Sequence, residues 1–292
     1  MDEIYIDLHT HTTLSDGAYT PQQLCDMARH ANIGILALTD HNYTEDLAPL
    51  RRIYPDIHFI QGAEISCLHM DSNGRETEIH VVALGFDPDN PDLKAVLAHN
   101  QPERSPYINA ILNRLSLCGI DLGDYGDLCK LYPNKRHIGR MDIAKTMKER
   151  GFVSSVDQAF NVYIGAFGER RAFVPNPLRY VSMEEAVRAV VNAGGAAVLA
   201  HLFYYPLSMN ESERLVKRFK ELAGSNGAME VFYSLYDQEQ RKTLMELTDK
   251  YDLMYSAASD FHGQSEMDTL DHHFLKASCS KLLHFLGAKT NH

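Results

Sequence analysis

The chain of 292 residues is long enough for one or two domains or a single α/β barrel, and 45% hydrophobic with 23% charged residues is ordinary for a globular protein. Its formal net charge of −11 disfavours duplex DNA as a partner, because an acidic protein repels a polyanion. The apolar runs are too short to cross a membrane, and no basic segment precedes an apolar run, so we expect no signal peptide. Five scattered cysteines without a C-x-x-C pair favour reduced thiols and a cytoplasmic location.

Strand-like and helix-like segments alternate in the first part of the chain. Residues 4–8 predict a short strand, and Thr20-Pro21 then supplies an N-cap and a first-turn proline for a helix. Short apolar runs predict three further strands, at residues 33–38, 58–60 and 78–86. We expect the third strand to end at Glu64.

The same alternation returns in the C-terminal part of the chain. Ser182 and Glu185 form a capping-box signature for a helix. Strands are predicted at residues 196–200, 228–232 and 253–257. Such alternation implies a parallel sheet with helices outside it, and about seven strands are enough for a closed or nearly closed barrel.

The middle of the chain differs, because it shows helical patterns and loops but little strand signal. Residues 140–150 and 154–163 predict helices. We therefore expect residues 1–100 and 181–292 to form the barrel and residues 101–180 to form a helical insertion.

Histidines and carboxylates recur at or near the ends of the predicted strands. An H-x-H pair places two imidazoles on one side of a strand, because strand side chains alternate with period two. Each motif alone is weak, but barrel enzymes place their active sites at the carboxyl ends of their strands. Burying so many polar groups separately would be costly, so their convergence indicates a metal site. The candidate ligands are His9, His11, Asp16, His41, Glu64, His80, His201, Asp260 and His262.

Six segments resemble the motifs of one known family, in the family's order and over almost the whole chain. They are DLHTHTTLSDG, LALTDHN, GAEIS, EIHVVALGF, AVLAH and ASDFH. They resemble the PHP (polymerase and histidinol phosphatase) family of metal-dependent phosphoesterases. The insertion is similar to that of a subgroup acting on nucleotide phosphates. The resemblance implies a distorted seven-stranded TIM-like (β/α) barrel with two to three Mn, Zn or Fe ions.

The resemblance also implies how the ligands are shared among three ions. The first ion would take His9, His11, Glu64 and Asp260. Glu64 would bridge to a second ion, held with His80 and His201, and the third would take Asp16, His41 and His262. Imidazole and carboxylate ligands suit Zn, Mn or Fe, and a shared carboxylate can hold two ions about 3.5–4 Å apart. Such ions lower the pKa of a bridging water and stabilise charge on the phosphoryl oxygens. Five of the ligands are expected to act in catalysis: Asp16, His41, Glu64, Asp260 and His262.

The insertion carries the candidate substrate contacts. By resemblance it would cover the active site, and arginine suits bidentate contacts with phosphate. Arg140 is the main candidate, with Arg170 and Arg171 as further ones. Asp142 stands where the family has histidine, and a carboxylate there is expected to repel a substrate phosphate.

We therefore expect a phosphatase or phosphodiesterase acting on a small phosphorylated metabolite or nucleotide. A 5′→3′ exonuclease trimming short RNA is the main alternative, although the acidic charge counts against long polymers. A third hypothesis is a non-catalytic metal-binding module. An amidohydrolase is chemically feasible, but that reaction usually goes with other ligand sets, such as a carboxylated lysine.

Overall fold

The computed structural model describes residues 4–101, 103–166, 168–175, 178–263 and 268–287. The chain forms two compact units. The larger unit comprises Met1–Thr12, Gly17–Asn100 and Tyr180–His292, and the smaller one comprises Thr13–Asp16 and Gln101–Arg179.

A seven-stranded sheet with the strands in sequence order forms the centre of the larger unit. This sheet and the helices around it confirm the predicted α/β fold class. The strands are β1 Tyr5–Asp7, β2 Ile33–Leu38, β3 His58–Met70, β4 Glu76–Leu84, β5 Ala196–Leu199, β6 Gly227–Tyr233 and β7 Met254–Ala258.

One strand runs antiparallel to its neighbours, whereas the sequence predicted a parallel sheet. β4 pairs antiparallel with both β3 and β5. Its direction follows from the tight turn at residues 71–75, which is too short for the crossover that a parallel pair needs. β3 also continues to Met70, so the prediction that it ends at Glu64 was wrong. Its second half pairs with β4, beyond its parallel pairing with β2.

Hydrogen bonds join the first strand to the last. The amide of Leu8 donates to the carbonyl of Ala257 at 3.0 Å, and the amide of Asp260 donates to the carbonyl of His9 at 2.9 Å. Thr10 and Phe261 form a parallel bridge just beyond the strand ends. These contacts bring the residues after β1 and after β7 side by side.

Alternate strand residues pack into two separate apolar clusters, as the period of two requires. In β4 and β5, Val82 and Val198 belong to one cluster, and Val81 and Leu199 belong to the other. Helices of the larger unit pack against the sheet, and the last of them contributes Leu282 and Leu283 to the first cluster. These helices are Pro21–His30, Ala48–Ile53, Pro91–His99, Met183–Asn192, Met209–Ala223, Gln238–Lys250 and Ser280–Phe285.

The smaller unit is helical and has its own apolar core, which includes Ile111, Leu115, Ile143 and Met147. Residues 154–163, predicted as one helix, form a short α-helix that runs into a π-helical turn. The elements of this unit are Ser105–Leu117, Tyr125–Leu131, Arg140–Glu149, Val156–Gln158 and the π-helix Ala159–Ile164. Among the residues described, no helix has the length and apolarity needed to span a membrane.

Candidate metal centre

The carboxylate of Glu64 lies at the centre of the candidate ligands in the larger unit. Its Oε1 is 2.8 Å from Nδ1 of His80, 3.1 Å from Nε2 of His201 and 3.3 Å from Nε2 of His9. Glu64 is completely buried. Residues from four strands or strand ends therefore meet at one oxygen atom.

The other oxygen of Glu64 faces a second group of histidines. Oε2 is 2.8 Å from Nδ1 of His41 and 3.2 Å from Nε2 of His11. The ring of His262 stacks on that of His11, with 4.0 Å between centroids and 14° between planes. The larger unit thus brings together all six candidate histidines and both of its candidate carboxylates.

A hydrogen bond determines which nitrogen of His9 faces this centre. Nδ1 of His9 is 2.6 Å from Oε1 of Glu230, which can only accept when ionised, so Nδ1 carries the proton. When His9 is neutral, its Nε2 presents a lone pair toward His11, Glu64 and Asp260. Such a carboxylate behind a histidine is the usual device for orienting a metal ligand.

The donor atoms have the spacing that a bound ion requires. Nε2 of His9 is 3.1 Å from Nε2 of His11 and 3.4 Å from Oδ1 of Asp260. Nε2 of His11 is 3.2 Å from the same oxygen. A tetrahedral ion with bonds of about 2.0–2.1 Å separates its ligand atoms by roughly 3.3 Å. Side chains of this chemistry at this spacing fit a divalent cation.

Charge coupling inside the site is strong. Burial lowers the pKa of His11, but hydrogen bonds to Asp260 and Glu64 outweigh it and raise this pKa to about 10. Burial also lowers the pKa of His80, but the charge of Glu64 outweighs it and raises this pKa to about 10. Burial raises the pKa of Glu64, yet His80, His41 and His9 hold it well below its usual value. Without metal, protons therefore balance the carboxylates of this site.

Two candidate ligands have strained backbones. His201 has φ of 27° and Asp260 has φ of 55°, in the left-handed region that side chains disfavour. The amide of His201 donates to Oε2 of Glu230 at 2.7 Å, which holds the turn in place. Left-handed residues of this kind cost about 1–3 kcal/mol each and cluster at functional sites.

Tyrosines line the same region. The hydroxyl of Tyr233 donates to Oδ2 of Asp260 at 3.0 Å. The hydroxyl of Tyr205 donates to the carbonyl of Ala200 at 2.9 Å and accepts from the amide of His80 at 2.8 Å. A cavity of about 430 Å³ opens over the centre. Its lining residues are His41, Glu64, Glu78, His80, His201, Tyr204, Tyr205, Tyr233, Asp260 and His262.

The remaining predicted site residues lie in the smaller unit. Asp16 is one of them, and its role as a ligand of a third ion stays a prediction. Arg140 begins the helix Arg140–Glu149. Arg170 stacks on Phe173 at 4.3 Å, and Arg171 forms an ion pair of 2.6 Å with Glu169.

Asp142 differs from what the sequence led us to expect. Its carboxylate is 2.8 Å from Nζ of Lys135, and both side chains are buried. Its Oδ2 accepts a hydrogen bond of 2.9 Å from the amide of Gly139 at the start of the helix. The negative charge that we expected to repel a phosphate is therefore paired with a lysine inside the smaller unit.

The profile of the PHP domain matches residues 7–234 of the chain. The chain belongs to the PHP family. This match confirms the predicted family. Together with the relatives described next, it confirms the predicted enzyme class, a metal-dependent phosphoesterase.

Two curated relatives resemble this PHP domain along most of their length. The 3′,5′-nucleoside bisphosphate phosphatase of Chromobacterium violaceum is 32% identical over 269 residues, which cover 89% of this chain and 88% of the relative. The 5′-3′ exoribonuclease Rnm of Escherichia coli (strain K12) is also 32% identical over 263 residues, covering 89% and 85%.

Solved structures share the fold. An amidohydrolase from Chromobacterium violaceum, with bound sulfate and no metal, has a TM-score of 0.75 at 31% identity and covers 91% of this chain and 89% of its own. A metal-dependent phosphoesterase from Bifidobacterium adolescentis has a TM-score of 0.76 at 25% identity, with coverage of 96% and 95%.

Sequence reasoning missed two residues of the centre in this PHP domain. Glu230 was not among the candidate site residues, but it contacts both the ring of His9 and the amide of His201. Tyr233 was not considered, although its hydroxyl holds Asp260. Their positions in the buried strand β6 were the available signal, because a buried glutamate needs hydrogen-bond partners.

Proposed function

We propose that this PHP domain hydrolyses phosphate esters of nucleotides, with nucleoside 3′,5′-bisphosphates as the first substrate class to test. The observation that carries the proposal is the convergence of five histidine nitrogens within 3.3 Å of the two oxygens of Glu64. The relative named as a nucleoside bisphosphate phosphatase supports the choice of substrate.

In this proposal two to three Mn, Zn or Fe ions bind at the mouth of the barrel. The first ligand set is His9, His11, Glu64 and Asp260, whose donor atoms lie within 4.8 Å of one another. Glu64 is shared with a second set that includes His80 and His201. A third set comprises Asp16, His41 and His262. Bound ions would lower the pKa of a water molecule and polarise the phosphoryl oxygens.

The protein residues have separate tasks. Glu64 and Asp260 supply negative charge that binds the cations, and Glu230 fixes the tautomer of His9. Arg140, with Arg170 and Arg171, is proposed to bind substrate phosphate through its guanidinium group. Arg171 already pairs with Glu169, so Arg140 remains the main candidate.

The deciding experiment combines metal analysis with hydrolysis. Protein purified without chelator should carry two to three equivalents of metal. Metal-loaded protein should release phosphate from adenosine 3′,5′-bisphosphate, lose activity with EDTA and regain it with Mn²⁺. Absence of bound transition metal after reconstitution would contradict the proposal.

A matched pair of variants isolates the role of Asp260. Asp252 shares its left-handed backbone, with φ of 47° against 55°, and lies on the exposed surface. Asparagine tolerates this conformation, so Asp260→Asn and Asp252→Asn preserve the backbone while each removes one charge. Only Asp260→Asn should lose metal and activity.

A second candidate function is 5′→3′ exonuclease activity on short RNA, favoured by the exoribonuclease relative of equal identity. Short 5′-phosphorylated oligoribonucleotides should be compared with adenosine 3′,5′-bisphosphate at equal concentration. Stepwise release of nucleotides with higher kcat/KM on the oligomers would favour the exonuclease. A metal-filled protein without turnover on any ester would favour the non-catalytic module.

A further inference from the structure

One aromatic ring in the cavity over the metal centre is exposed. Tyr204 is 56% exposed, whereas the other two tyrosines in the lining, Tyr205 and Tyr233, are 8% and 3% exposed. Most of the remaining lining consists of the candidate ligands. The cavity thus combines a charged floor with one accessible aromatic surface.

The ring of Tyr204 is held in position. It ends the 3₁₀ turn Leu202–Tyr204, which begins directly after His201 and is anchored by the completely buried Leu202. The ring also packs against that of Tyr233. The ring therefore loses little further freedom when a ligand contacts it, which favours binding.

The aromatic neighbours of Tyr204 meet it edge to face. Its centroid is 5.7 Å from that of Tyr233 at 74° and 6.1 Å from that of His201 at 73°. In the described part of the chain, no aromatic ring stacks parallel to it. A planar ligand can therefore occupy the exposed side of this ring.

We propose that Tyr204 stacks on the base of a nucleotide whose phosphate is held at the metal centre. This inference rests on the proposed function and deepens it, because it names the part of the substrate that distinguishes a nucleotide from a sugar phosphate. His201 lies between the two parts of the site, with its ring beside Tyr204 and its Nε2 at 3.1 Å from Glu64. A ribose can bridge such a separation between base and phosphate. The cavity of about 430 Å³ also lies in the size range of small-ligand sites.

Stacking on an aromatic side chain contributes about 1–3 kcal/mol per base, which corresponds to about five- to 150-fold in affinity. A base-stacking role therefore predicts a loss confined to substrates that have a base. A structural role of Tyr204 predicts an equal loss on every substrate.

The test uses the metal-loaded protein with two substrates, adenosine 3′,5′-bisphosphate and the ribose analogue with hydrogen in place of the base. Tyr204→Ala should lower kcat/KM for the nucleotide by about tenfold or more and leave that for the analogue unchanged. Tyr204→Phe should retain the preference, because the ring remains. Leu235→Ala is the control, since Leu235 is 58% exposed but does not line the cavity.

Titration calorimetry of the same two compounds separates this inference from the proposed function. If the wild type binds the nucleotide more tightly than the analogue and Tyr204→Ala abolishes that preference, Tyr204 stacks on the base even if no hydrolysis occurs. Equal losses for both compounds, or an unchanged preference in Tyr204→Ala, would overturn the inference.

Discussion

The hydroxyl of Tyr233 donates a hydrogen bond of 3.0 Å to Oδ2 of Asp260, while Oδ1 of the same carboxylate faces His9 and His11. Burial and the charge of Asp260 raise the pKa of Tyr233, so its hydroxyl stays protonated and donates. The two oxygens of Asp260 therefore have different partners, and the tyrosine directs one of them toward the proposed ion.

Tyr233→Phe should weaken metal binding by about 10–100-fold, the usual effect of losing a hydrogen bond to a metal ligand. The dissociation constant for Mn²⁺ can be measured by calorimetry. Tyr236→Phe is the matched control, because Tyr236 is a buried neighbour whose hydroxyl accepts from the amide of Phe203 instead of contacting a ligand. Equal affinities in the two variants would show that Tyr233 only fills space.

Glu230→Gln should also weaken metal binding by about 10–100-fold. The carboxylate accepts from both the ring of His9 and the amide of His201, and the NH₂ group of glutamine cannot replace one of these acceptors. The exposed Glu239→Gln serves as the control. Unchanged metal affinity with unchanged folding would argue against an orienting role for Glu230.

Metal binding should release protons. His11 and His80 have pKa values raised to about 10, so both carry protons in the metal-free protein at neutral pH. A histidine must be neutral to bind a metal ion, so the ion displaces these protons and its apparent affinity rises with pH. Without metal, the stability from these histidines is fully present below about pH 6.5 and is lost as pH rises through about 10. Calorimetry in phosphate and Tris buffers, which differ in ionisation enthalpy, counts the protons. Identical heats in both buffers would contradict the expectation.

Asp142→Asn should destabilise the protein by about 3–5 kcal/mol, because it leaves the buried Lys135 without its partner. Asparagine can still accept from the amide of Gly139, so the change isolates the charge. Urea unfolding followed by circular dichroism measures the loss, with the exposed Asp157→Asn as control. Replacing Lys135 and Asp142 together by methionine should recover most of it. Unaltered stability in Asp142→Asn would mean that the pair contributes little.

Arg140→Ala should lower kcat/KM on the true substrate by about ten- to hundredfold, because a charge-assisted contact with phosphate contributes about 1.5–3 kcal/mol. Metal content should stay constant. A small activated ester that offers no second phosphate should be hydrolysed almost as before. A loss of the same size on both esters would indicate that Arg140 supports the fold.

The sequence was most informative where local chemistry decides the structure. The N-cap at Thr20 and the capping box at Ser182 formed as predicted, because short polar side chains bind nearby amides. The ligand motifs were visible because histidines and carboxylates rarely follow buried strands without a purpose. The antiparallel direction of β4 was missed, since strand periodicity is the same in either direction.

The sequence also did not predict which side chains pair with each other in the folded protein. The ion pair of Lys135 with Asp142 joins a loop to the first turn of the helix that follows it, and spacing alone did not single it out. Glu230 and His9 are separated by 221 residues, and only the folded barrel shows that they touch. Motifs therefore identified the candidate ligands, whereas the residues that hydrogen-bond to these candidates required the structure.

The hydrogen bonds between the residues that follow the first and the last strand connect positions roughly 250 apart, such as the carbonyl of His9 and the amide of Asp260. Contacts between such distant parts of a chain form late, because closing a long loop costs conformational entropy. During synthesis, a ribosome-bound chain that ends before β7 has His9 and His11 but lacks Asp260. We therefore expect the complete first ligand set to arise only after the last strand has emerged, so that capture of the cation coincides with the end of folding. The ion would then stabilise the finished barrel far more than any partly made chain.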